Sequence, residues 1–211
     1  MLFRSLPNSA AVNFDLDTPT DYMILALSGK GGPRIRAALR EAAWPDERLR
    51  AAADVLAAEL PEVALIGRVG SAIMEHFNRN LPVRLRVFSE ERGMKALGRE
   101  AAGLVRSVVA DLVEDLGPER FFGRLSETCD AVFFDTRVLF ANRGRRVSEW
   151  DRFQSDLGAV ERIVDPFVQR FTRAAAACSV PVVLGGHSVV SGGLWVLADR
   201  AIALGGGPSR S

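Results

Sequence analysis

The chain has 211 residues, 48% hydrophobic and 25% charged, enough to bury a sizeable core in one domain or in one domain with a fragment attached. Its net charge is +1 with basic and acidic residues interspersed, so there is no electrostatic stripe for a phosphate backbone, and nucleic-acid binding is disfavoured. Two cysteines, Cys129 and Cys178, suit neither a disulfide framework nor a structural zinc and point to a reducing cytoplasm, while the most apolar long stretch, 180–204, is broken by His187, Ser188, Asp199 and Arg200 and makes a poor membrane span.

In chain order, the opening "MLFRS" matches the translation of a common sequencing adapter, so residues 1–5 are expected to be a non-native leader with native sequence lost upstream of Leu6. The segment "NFDLDTPTDYMILAL" (13–27) then places three aspartates ahead of an apolar helix. Thr18 as N-cap, Pro19 at the first helical position and Asp21 three residues past the cap form a capping-box start, with the negative charge at the helix's positive end. Asp15 and Asp17 precede the cap on an extended segment, where a spacing of two directs both side chains to one face. The break "SGKGGP" (28–33) ends this region as a helix-terminal glycine turn, because a P-loop would need Gly-Lys-Ser/Thr after it and a strand before it. Residues 34–61, rich in Ala, Arg, Leu and Glu, predict a connector of two helices interrupted near Trp44, Pro45 and Asp46.

From Glu62 the rhythm becomes strand alternating with helix. "EVALIGRV" (62–69) predicts a short buried strand and 72–81 a helix, and "LPVRLRVFSEERG" alternates Val83, Leu85 and Val87 against Arg84 and Arg86, as a half-covered strand does. A long helix is expected over 94–116, stopped by Gly117 and Pro118. "DAVFFDTRVLFA" (130–141) reads as a further buried strand, in two halves if bent at Thr136. Helical segments follow through "EWDRFQSDLG" and "DPFVQRFTRAAAAC", then a last strand at 180–186 and a helix from near Ser188 to Gly205. The fold class predicted is α/β, a mostly parallel sheet with helices on both faces, spanning 62–205 after a short fragment (6–33) and the connector; residues 206–211 read as a disordered tail.

The segment "FDLDTPTDYMIL" resembles the "DIDTPEDL" stretch near the C-terminal end of MobA-like nucleotidyltransferase domains. The resemblance implies that residues 6–33 are the tail of such a domain, that the complete protein transfers a nucleotide with magnesium neutralising the phosphates, and that Asp17, directly before the Thr, is a magnesium ligand. The match covers only 15 to 20 residues, and the family's Gly-rich loop is absent ahead of Asp15, so this chain alone is not expected to transfer nucleotides. The alternative for the same residues is a capped helix following a loop.

Parallel strands bring their carboxyl ends to one rim, where open α/β sheets bind ligands. Four turns would meet there: Gly67 to Ser71, Ser89 to Gly93, Asp135 to Arg137, and Gly185 to Ser188. Asp135 and His187 are the candidate acid-base pair; Glu90, Glu91, Arg92, Arg137, Gly185, Gly186 and Ser188 are the candidate binding residues, the two glycines for close backbone approach and Ser188 as the cap of an anion-accepting helix. Competing structural readings exist for each: Glu90 and Glu91 as helix-start acids, His187 as a surface residue after a tight turn, and Asp135 in an ion pair with Arg137 two residues along one strand face. The expected partner is an anionic or nucleotide small molecule, met by the C-terminal part of a fused transferase, by a stand-alone enzyme or by a ligand sensor.

Overall fold

A computed structural model describes residues 9–206; the expected leader and the last five residues of the expected tail lie outside the described residues. The elements in order are α1 (Ala10–Asn13), α2 (Pro19–Ser28), α3 (Pro33–Ala42), α4 (Glu47–Val55), β1 (Glu62–Gly67), α5 (Ser71–Asn80), β2 (Arg84–Ser89), α6 (Val108–Leu116), α7 (Pro118–Ser126), β3 (Ala131–Asp135), α8 (Thr136–Ala141), α9 (Glu149–Asp156), α10 (Pro166–Ala177), β4 (Val182–Gly185) and α11 (Gly192–Ala201). The strands form one sheet of order β2-β1-β3-β4, every pair parallel. This is the expected α/β architecture. Among the described residues no helix is long and apolar enough to cross a membrane.

The two inner strands are near-continuous apolar runs because both their faces are covered. Val63 and Leu65 of β1 and Phe133 of β3 face a cluster built with α2, α4, α5 and α11. Ala64 and Ile66 of β1, with Val132 and Phe134 of β3, face the opposite cluster of α6, α7, α8 and α10. The edge strand β2 keeps its alternation, and Arg84 and Arg86 on its outer face reach Glu62 at 3.3 and 3.2 Å. The α2 helix supplies Met23 and Ile24 to the first cluster, so residues 19–28 pack in one core with the sheet.

Three sequence expectations are corrected. The helix over 94–116 is confined to Val108–Leu116; residues 91–106 form a compact loop of successive turns instead. Gly93, Gly98 and Gly103 adopt φ of +79°, +67° and +67°, which breaks a helix, and Glu91 closes the loop by accepting two bonds from Arg99 (both 2.7 Å) and one from the Arg106 amide (3.0 Å). Residues 136–141 form the helix α8 rather than a second strand half, because the Asp135 carboxylate accepts from the Arg137 amide at 3.2 Å and caps a helix there. The last helix starts at Gly192, not near Ser188, after a single tight turn over His187–Val190.

Candidate functional site

The chain passes from β1 outward to β2 and then returns to β3 on the other side of β1, so the sheet's switch point lies between the carboxyl ends of β1 and β3, where such sheets leave a crevice. Gly67 ends β1 with φ +116°, and a Cβ there would lie 2.6 Å from the Cβ of Asp135. Only glycine permits that approach, and it brings Arg68 onto Asp135. Arg68 Nε and Nη2 donate to the two carboxylate oxygens at 2.6 and 3.0 Å, and the amides of Arg68 (3.3 Å) and Arg137 (3.2 Å) complete its shell. Asp135 is fully buried and accepts four hydrogen bonds, which fix the Arg68 guanidinium in place. Its partner is Arg68 and not Arg137; the latter points from α8 to Asp156, donating at 3.0 and 2.5 Å. Burial opposes the Arg137 charge, but Asp156 outweighs it and holds the pKa of Arg137 above its ordinary value.

His187 follows β4 and sits over this pair. Its Nε2 lies 3.2 Å from the Arg68 carbonyl oxygen, which can only accept, so Nε2 carries the proton and Nδ1 keeps a free lone pair. Burial first, then the Arg68 charge, push the His187 pKa below its ordinary 6.5 against the pull of Asp135, and Arg92 adds to the depression. The imidazole is therefore neutral at neutral pH. Arg68, Arg92, Lys95 and His187 line an open cleft of about 510 Å³, together with Gly93 and Met94. Arg92 lies over Gly70, where a Cβ would come 3.5 Å from its Nη2, and neither Arg92 nor Lys95 has an ion-pair partner among the described residues. The arrangement offers two unpaired cations, Arg92 and Lys95, and one neutral imidazole to an anion, beside the Arg68–Asp135 ion pair.

The expected binding residues divide accordingly. Arg92 and His187 share the cleft, whereas Glu90 accepts from Ser107 Oγ (2.5 Å) and the Val108 amide (2.9 Å) and caps α6, and Glu91 closes the 91–106 loop. Gly185 and Gly186 do accept a close approach, but from the start of α2: a Cβ on Gly186 would be 2.8 Å from Thr18 Cγ2, and one on Gly185 3.2 Å from Thr20 Cβ. Thr20 Oγ1 also donates to the Leu184 carbonyl at 2.7 Å. Ser188 caps no helix; its hydroxyl donates to the Asp15 carbonyl at 3.1 Å. Lys95 escaped sequence reasoning because it lay within the expected long helix.

The aspartate segment thus docks against the β4 turn. The capping box forms, with Asp21 Oδ2 accepting from the Asp17 and Thr18 amides (3.0 and 2.8 Å) and from Thr18 Oγ1 (2.9 Å). Asp21 Oδ1 is buried without a partner. Burial raises the Asp21 pKa to about 6; its three hydrogen bonds oppose this, and the nearby charge of Asp156 adds to it. Asp15 and Asp17 are exposed, and among the described residues no three His, Cys, Asp or Glu side chains gather around a metal position. No family model, curated protein or solved structure matches the chain.

Proposed function

We propose that the protein binds an anionic small molecule in the cleft outside β1 and β3, with Arg92 and Lys95 holding the negative group beside the Arg68–Asp135 pair and His187 Nδ1 accepting a proton from it or from a bound water. The observation that carries this reading is the convergence of two unpaired cations, Arg92 and Lys95, on a neutral histidine with a free lone pair at the sheet's switch point. A neutral imidazole beside fixed cations is a competent base, because the charges that depress its pKa also stabilise the anion that forms. Asp135 contributes by fixing Arg68, which in turn supplies the carbonyl that orients the imidazole.

The test is a titration of the His187 imidazole by NMR, assigned with His187→Ala against His76. In the free protein its pKa is expected below 6.5; with inorganic pyrophosphate as probe it should rise, because a bound anion favours the imidazolium. Arg92→Ala should weaken that response. An imidazole indifferent to the anion would remove the proposal. The nucleotidyltransferase reading is a second proposal, resting on the resemblance of the aspartate segment and on the exposed Asp17, a donor suited to a magnesium ion that takes its other ligands from water and phosphate. It predicts weakened Mg²⁺ and nucleotide binding in Asp17→Asn of a protein that includes a Gly-rich loop.

A further inference from the structure

A second cleft, of about 520 Å³, opens between the 91–106 loop and the α8–α9 side of the molecule. Its volume is that of a small-molecule site. Five cations line it, Lys95, Arg137, Arg145, Arg146 and Arg152, against one carboxylate, Glu100. Arg137 is neutralised by Asp156, and Arg145 meets Glu114 at 2.8 Å while lying 4.0 Å over the Phe167 ring. Lys95, Arg146 and Arg152 have no ion-pair partner among the described residues. Moreover, Arg145 Nη1 and Arg152 Nε are buried donors that find no acceptor in the protein. Buried guanidinium N–H groups are ordinarily satisfied, since leaving one unmet forfeits its hydration for nothing. Two such groups at one cleft, beside the unpaired Lys95 and Arg146, favour acceptors that arrive with a ligand.

The charges stand on separate walls. Arg145 and Arg146 follow α8, Arg152 belongs to α9, and Lys95 comes from the facing loop, which is pinned where Gly103 meets Gly144, a Cβ on Gly103 lying 3.6 Å from the Gly144 Cα. Arginine forks suit phosphoryl oxygens, and cations on opposed walls suit a group with more than one of them. We propose that this cleft binds the diphosphate group of a small organic molecule, at a site separate from the cleft beneath His187. Lys95 lines both clefts and is the one cation they share.

Calorimetric titration of the full chain with inorganic pyrophosphate, and with orthophosphate at matched ionic strength, tests this. Pyrophosphate should bind saturably and at least tenfold more tightly than orthophosphate. Arg146→Ala, at an exposed position without an ion pair, keeps the fold and should weaken pyrophosphate binding at this site about tenfold, and Arg146→Ala with Arg152→Ala should abolish it. Both variants should leave the His187 response to pyrophosphate in place, whereas Arg92→Ala should weaken only that response and Lys95→Ala should weaken both. Absence of saturable binding, equal affinity for the two anions, or undiminished binding in the double variant each overturns the proposal. Loss of the His187 response alone would strike only the site under His187.

Discussion

Asp135 accepts from Arg68 Nε and Nη2 and from the amides of Arg68 and Arg137, so its burial is matched donor by donor. A carboxylate inside an apolar run needs a partner, and the sequence offered Arg137 two positions away; the chain turns into α8 immediately after Asp135, which sends Arg137 to Asp156 and leaves Arg68, 67 positions earlier, to fill the gap. The pair is buried on both sides, so removing one partner strands the other charge. Asp135→Asn should therefore destabilise the protein by about 3–5 kcal/mol, read as a lowered urea midpoint. It replaces an acceptor oxygen with an amide that faces the Arg68 guanidinium. Arg68→Met in the same chain should recover part of the loss, since it removes the stranded cation. An unchanged midpoint in Asp135→Asn would contradict the buried pair.

At the scale of elements, α2 illustrates what capping chemistry decides and what it leaves open. Thr18, Pro19 and Asp21 specify the helix start from local sequence, and the structure forms that start. The cost of burying it against β4 was not legible, because Gly185 and Gly186 are 164 or more positions away and their closeness to Thr18 and Thr20 is a tertiary fact. Burial raises the Asp21 pKa from 3.8 to about 6, so the folded state favours the proton. The associated stability is fully present below about pH 4 and is lost as pH rises through 6, on the order of 2–3 kcal/mol. Asp21→Asn keeps an oxygen for the three donors and stays neutral, so the stability difference, wild type minus variant, should fall between pH 4 and 7; a flat difference would contradict the raised pKa. Asp21→Ala should show the same fall and, having lost the cap as well, should lie about 1–2 kcal/mol below Asp21→Asn at every pH. The loop over 91–106 makes the converse point. Its apolar spacing suits a helix, yet three glycines at positive φ and the Glu91 clasp fold it into turns, and with it go the cleft positions of Lys95 and the glycine contact at Gly144. Periodicity reads side chains; the deciding elements here were backbone conformations and one ion pair.

For the whole molecule, strand and helix alternation was sufficient to predict a parallel sheet covered on both faces, since continuous apolar runs at 63–66 and 131–134 leave no polar face for solvent. The rim followed from that, because parallel strands must share an end. Packing of residues 9–28 did not follow: Met23 and Ile24 would suit any apolar surface, and nothing local says that they lie in one cluster with Leu65, Phe133 and Leu197. The surrounding geometry makes this segment integral. Gly192 accommodates the Asn13 carbonyl where a side chain would collide, and a Cβ on Gly193 would come 2.8 Å from Ile24 Cδ1. Ile24 is fully buried, so Ile24→Ala should lower stability by about 2–5 kcal/mol through lost burial and a residual cavity. More tellingly, the amides of Met23 to Leu27 should exchange hydrogen with the same free energy as those of β3 in the wild-type chain, and Ile24→Ala should lower both sets together. A segment merely resting on the sheet would exchange early in both proteins, leaving β3 protected, and the variant's effect would then be confined to α2.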